Sequence, residues 1–305
     1  PHIPMPPLKS LDVFSSFSVT KTKFIELWED SDYIELIASA DTRGVIGLAN
    51  LELACLSHGK KYKRTFGPSS RHLPKDESFE WPNHDGLSIR IVTGDSSFRG
   101  ISIEQQNVSI ESSNVEVVFE DSDGTHQGVL DSLGIVTFLV NEILPQAPKI
   151  KRMRPLMLAG QWLRKSMESN YDPIYMKLRD ALLDDGLIRL LPMVEVEEEM
   201  ELFLPSISQK RFEKLVKMWQ KMDFEQRRTS LSELALPALR DIDFSTGRLE
   251  ELIWKRVIFP GSRFDLATLL WRIEQSWPLD DEESRLHASN QADLLIKTGE
   301  LIPQS

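Results

Sequence analysis

Tyr33-Ile34-Glu35-Leu36-Ile37-Ala38-Ser39-Ala40-Asp41-Thr42-Arg43-Gly44 is the stretch on which the fold turns. Its first eight residues make an apolar run with polar residues at its ends, the pattern of a buried strand. Asp41 to Gly44 follow as an acidic turn closed by glycine. Beyond them Val45, Ile46, Leu48, Leu51, Leu53 and Leu56 supply the apolar positions of an amphipathic helix. Strand, acidic turn, glycine and helix is how α/β folds present carboxylates at the carboxyl end of a parallel strand, where ligands bind. Arg43 stands inside that turn. A guanidinium is always positively charged and cannot ligate a cation.

Working outward, residues 20–145 alternate strand-like and helix-like segments. The expected strands are 33–40, 61–66, 87–93, 106–111 and 115–120. The expected helices are 21–30, 44–58, 97–105 and 130–144. This alternation predicts an α/β fold with a mainly parallel sheet flanked by helices. Residues 67–86 are rich in Pro, Ser, His and Asp and read as a long loop. From about 147 the spacing becomes helical, over 149–167, 173–184, 208–222, 231–239, 247–257, 262–276 and from near Asp280. The expected organisation is an N-terminal arm (1–20), an α/β domain (21–145), a helical region (146–245) and a C-terminal region (246–305).

Composition narrows the function classes. The 305 residues are 41% hydrophobic, enough for a real core, and the net charge is -11. The chain as a whole is therefore no general nucleic-acid binder. Cys55 is the single cysteine, which excludes an internal disulfide framework and any multi-cysteine zinc site. A reducing compartment, cytoplasmic or nuclear, fits it best. No apolar run is long enough to span a membrane. Pro1 to Pro7 lack a signal-peptide pattern and read as an extended arm. The six histidines are scattered, and no Gly-x-x-x-x-Gly-Lys phosphate loop occurs, so neither zinc nor ATP chemistry is indicated. Cys55 reads as a core residue.

Four segments, taken in order, resemble the RecJ branch of the DHH phosphoesterase superfamily. Asp41-Thr42-Arg43-Gly44 is similar to the family's Asp-x-Asp-Gly, with the second carboxylate replaced by Arg43. Ile89-Arg90-Ile91-Val92-Thr93-Gly94-Asp95 resembles its apolar strand ending in a lone aspartate, and Asp95 is kept. Val108-Ser109-Ile110-Glu111-Ser112-Ser113 falls where the naming Asp-His-His stands, with Glu111 for the aspartate and Ser112 and Ser113 for the histidines. Leu158-Ala159-Gly160-Gln161-Trp162-Leu163-Arg164 matches a helix in which Ala-Gly precedes an aspartate, here Arg164. A weaker likeness continues over 262–270, after which the family's glycine-rich substrate turn is missing. The resemblance thus implies a DHH-like domain and a truncated or remodelled DHH-associated region over 246–305.

The resemblance also implies that the metal-ligand set is largely lost, with Asp41, Asp95 and Glu111 left facing Arg43 and Arg164. It points to the catalytically degraded members of the superfamily, the cell-division-cycle-45 replication factor and its archaeal RecJ-like counterparts. The implied role is non-enzymatic: a cofactor-free scaffold that binds the GINS complex and serves the MCM helicase, nucleoid-associated or nuclear. The competing expectation is a divergent phosphoesterase or single-strand exonuclease. Lys149, Lys151, Arg152, Arg154, Arg164 and Lys165 form an acid-free basic run. It reads either as a solvated helix face or as a groove contacting single-stranded DNA. Trp162 and Trp219 read as packed side chains before base-stacking ones. The acidic segment 195–201 reads as solvated.

Overall fold

The structure, a computed structural model, describes residues 11–69, 85–94, 98–119, 124–164, 172–196, 204, 206–240 and 245–303. It is an α/β protein whose mixed, mainly parallel sheet is flanked by helices.

Six strands form the sheet: β1 (Tyr33–Ser39), β2 (Lys61–Gly67), β3 (Leu87–Ile91), β4 (Arg99–Glu104), β5 (Asn107–Val118) and β6 (Thr125–Leu130). Their order is β2-β1-β3-β5-β4, and β6 pairs with β5. The β1–β2, β1–β3 and β3–β5 pairs are parallel. β4 and β6 both run antiparallel to β5. β5 changes neighbours along its length: residues 107–110 pair with β3, and 113–118 pair with β6. β6 therefore continues the sheet where β3 has ended, and Leu130 lies opposite Ser113.

Two expectations fail here. Of the helix expected over 97–105, the described part, 98–105, is not helical. Ile101 is buried beside the antiparallel partner strand, and Gly100, at φ 71°, faces the bulge that Glu111 and Ser112 make in that strand. The two strands expected over 106–111 and 115–120 are one strand. Ser112 to Asn114, which fall between the two expected strands, continue it: Glu111 and Ser112 form a bulge, and Ser113 is back in the ladder opposite Arg99 and Leu130.

The principal helices are α1 (Ser18–Asp30), α2 (Thr42–His58), α3 (Ser132–Ile143), α4 (Pro148–Met153), α5 (Met157–Trp162), α6 (Pro173–Asp184), α7 (Gln209–Trp219), α8 (Phe224–Ala235), α9 (Thr246–Trp254), α10 (Leu266–Ser276) and α11 (Asp281–Thr298). A short ribbon pairs β7 (Arg189–Leu191) with β8 (Arg256–Ile258). The helix expected over 149–167 is broken after Met153. Pro155 lacks the amide that a continuing helix needs, and Arg154–Leu156 forms a 3-10 turn. Leu11, Val13, Phe14 and Phe17 are buried, so the chain has joined the core well inside the stretch expected to be an arm. Pro1 to Pro7 lie outside the described residues.

α2 is the centre of the molecule. Expected to be amphipathic, it is instead buried on nearly every side from Thr42 to Cys55. The sheet and α3 cover its apolar positions, and α11 packs across the remaining face. Arg64 of β2 joins that contact, pairing with Glu52 of α2 at 3.2 Å and Asp293 of α11 at 2.8 Å. The buried apolar residues form one cluster that runs from Leu11 to Leu301.

Candidate functional site

The carboxyl ends of β1 and β3 converge with the start of α3 and the end of α5, and a buried polar network fills the space between them. Asp41 opens it. This residue is extended at φ -136° and caps α2, its Oδ1 accepting the Gly44 amide at 2.9 Å. Its Oδ2 accepts the Thr93 hydroxyl, just beyond β3, at 2.6 Å. Burial pushes the Asp41 carboxyl above the usual carboxylate range, opposed by Arg43 and by those two hydrogen bonds. Gly44 is required by a close approach: a Cβ there would stand 2.1 Å from the Ser39 carbonyl oxygen.

Arg43 donates to Asp131 Oδ2 at 3.1 Å. Asp131 follows β6 and caps α3, with its Oδ1 taking the Leu133 amide at 2.9 Å. The expectation is that Arg43 or Arg164 pairs with Asp41 or Asp95. Among the described residues Arg43 pairs with Asp131, while Asp41 accepts from an amide and a hydroxyl and lies close enough to Arg43 for their charges to attract. Asp95 lies outside the described residues. Gly160 of α5 makes room for the pair, since a Cβ on it would reach within 2.3 Å of Asp131 Oδ1.

Gln161 ties the network together. Its Oε1 accepts the Asp131 amide at 2.6 Å, and its Nε2 donates to the Val129 carbonyl at 2.9 Å and to Asp172 Oδ2 at 3.1 Å. Asp172 caps α6 through the Ile174 and Tyr175 amides. Burial raises its pKa, against those amides and the nearby Arg164. Arg164 is buried and donates to Ser112 Oγ at 3.4 Å.

The remaining family positions separate. Glu111 and Ser112 stand together in the bulge opposite Gly100 and have different partners. Glu111 is met by Arg99 at 3.3 Å and by Ser109 at 3.2 Å. Ser113 packs beneath the Gly100 bulge. Asp41, Arg43, Gly44, Ser112 and Arg164 thus line one polar interior, and Glu111 belongs to another.

The mouth of the strand end is closed from the far side of the chain. Thr42 donates to Glu274 of α10. The Ala40 carbonyl accepts the Trp277 indole N–H at 3.0 Å and the Ser284 hydroxyl at 2.9 Å.

Two-metal phosphodiester hydrolysis needs several oxygen and imidazole donors converging on cations about 3.5–4 Å apart. The described residues at the strand ends do not fit that requirement. The carboxylate oxygens of Asp41 and Asp131 are engaged by amides, a hydroxyl and a guanidinium, and Arg43 and Arg164 add two positive charges. Among the described residues no group of three or more His, Cys, Asp or Glu side chains is arranged to hold a metal ion. The arrangement holds helix ends and strand ends in register.

Asp131, Gln161 and Asp172 escaped sequence reasoning. Local signals existed for two: Asp131-Ser132 precedes an apolar run, and Asp172-Pro173 has the form of a capped helix start with proline in its first turn.

The basic run does not form one strip. Lys149 donates to the Ile296 carbonyl at 3.4 Å, and Arg152 pairs with Glu300. Arg154 donates to the Pro145 carbonyl at 2.8 Å, and burial lowers its pKa. Arg164 turns inward, Lys151 stays exposed, and Lys165 lies outside the described residues. Trp162 and Trp219 are packed, each with a guanidinium over its ring, Arg248 at 4.0 Å and Arg227 at 5.3 Å. Among the described residues no helix is long and apolar enough to cross a membrane.

No protein-family model matches the chain, and no curated protein matches it.

Proposed function

We propose that the chain is a non-catalytic, DHH-like member of the RecJ branch that acts as a scaffold at the DNA replication fork, binding GINS and supporting the MCM helicase. One observation carries the non-catalytic part. The strand-end space where a phosphoesterase gathers metal ligands is filled by the chain's own Arg43–Asp131, Arg164–Ser112 and Gln161-centred contacts. The order of the four resembling segments supplies the partners. A scaffold of this kind needs a rigid frame and no cofactor, and a satisfied interior network gives rigidity.

A pull-down with purified GINS subunits tests the scaffold reading, run with and without a chelator and paired with a single-strand degradation assay in manganese. The expected result is capture of GINS that chelator leaves unchanged, with no degradation. Failure to capture GINS removes the replication role. Metal-dependent degradation of single-stranded DNA would establish the divergent phosphoesterase instead.

A further inference from the structure

A cavity of about 860 Å³ lies between α4, the segments 186–187 and 259–260 that flank the β7–β8 ribbon, α10 and residues 299–303, and it shares no residue with the strand-end network. Its floor is apolar, with Leu156, Leu187, Phe259 and Leu269 among the lining. Four cations stand around it: Lys151 and Arg152 on α4, Arg263 before α10, and Arg272 on α10. One acid, Glu300, is in the lining and is already paired with Arg152. In a chain of net charge -11 the cavity is a local reversal of sign.

We propose that this cavity docks a short acidic segment of a partner protein, which places one bulky apolar side chain on the floor and carboxylates against the rim. Lys151 and Arg263 are exposed, and neither makes an ion pair of 4 Å or less with a described carboxylate, Asp185 lying only near enough to Lys151 for their charges to interact. Arg263 and Arg272 lie over the Phe264 ring, at 5.4 and 4.7 Å from its centroid. A guanidinium held against an aromatic ring keeps its N–H edge for a planar carboxylate. The volume is that of a side-chain-sized binding pocket.

The same details disfavour nucleic acid. Phe264 is engaged by guanidinium groups and is not an open platform for a base. The start of α10 is already capped by Asp265, whose carboxylate is itself paired with Arg256 at 2.7 Å, so those amides are taken. Salt confines the cavity's attraction to about 8 Å at physiological ionic strength, so a long polyanion meets the acidic remainder of the surface, and a short peptide does not. This proposal is independent of the replication role.

Fluorescence polarisation on the full chain tests it, with a labelled glutamate-rich peptide carrying a central pair of leucines. Saturable micromolar binding is expected. Lys151→Glu combined with Arg263→Glu should weaken it by about tenfold or more, and Lys151→Ala with Arg263→Ala should weaken it less. Replacing the leucines by serine should also weaken it. The idea is overturned by absence of saturable binding below millimolar peptide, by unchanged affinity in the charge-reversed protein, or by full displacement of the peptide by oligothymidylate.

Discussion

Arg43 and Asp131 are 88 residues apart in sequence and 3.1 Å apart in the fold. The aspartate side chain is fully buried and the arginine is 14% exposed. The pair joins the first turn of α2 to the first turn of α3 and fixes both at the end of the sheet. Breaking a buried pair leaves the surviving charge without compensation.

Arg43→Met should therefore lower unfolding stability by about 2–4 kcal/mol, toward the lower part of the range for buried pairs because the arginine keeps some contact with water. Arg43→Met combined with Asp131→Asn should cost less than the two single changes summed. Urea denaturation of the four proteins measures this, and strict additivity would show that the pair has no coupling.

Gly160→Ala should destabilise by about 1–3 kcal/mol, because the new Cβ would overlap the Asp131 carboxylate and force α5 away from α3. In an Asp131→Ala background most of that cost should vanish. Equal costs in both backgrounds would place the strain elsewhere.

Burial pushes the Glu52 carboxyl up to about 7 from an ordinary 4.5, opposed chiefly by Arg64. The folded state then holds this proton more tightly than the unfolded chain does. Its contribution to stability is present in full below pH 4.5 and is lost as pH rises through about 7. The loss is at most about 3 kcal/mol. Chemical denaturation between pH 5 and 8 should show stability falling, and Glu52→Gln should flatten the fall. Parallel curves for the two proteins would contradict it. Glu251 is likewise pushed up to about 7 by burial and adds to the same trend.

The Cys55 thiol is fully buried and pushed up to about 12 by that burial. Native protein at pH 8 should resist a thiol-labelling reagent and react in urea at the ordinary thiol rate. Rapid native labelling would mean that α2 opens locally.

The β1–turn–α2 unit was legible because every signal for it is local: an apolar run, a capping aspartate and a glycine where a Cβ has no room. α6 was legible for the same reason, and its span, Pro173–Asp184, is the one expected from the spacing. β6 was not. Thr125-His126-Gln127-Gly128 is polar, and its strand character comes from pairing with the far half of β5. Ser112 falls between the two strands expected over 106–111 and 115–120, yet it lies in the bulge of a single strand, beside Arg164, which comes 52 residues later. Asp131 was missed because its meaning depends on Arg43 and Gly160 together. The sequence pointed to Asp41, Arg43, Ser112 and Arg164, but which charge meets which was set by tertiary distance.

The Ala40 carbonyl, at the end of the first strand, receives donors from residues 237 and 244 positions later. Synthesis at about 5–20 residues per second separates these groups by roughly 10–50 s. For that interval α2 has made its contacts with β1 and awaits the helix that will cover its last face. The nascent chain thus carries an apolar surface that its own later residues must close, and early packing is provisional until Trp277 leaves the ribosome. Ribosome-bound chains arrested before Trp277 should be cut by protease within α2, and chains arrested past the exit of α11 should not.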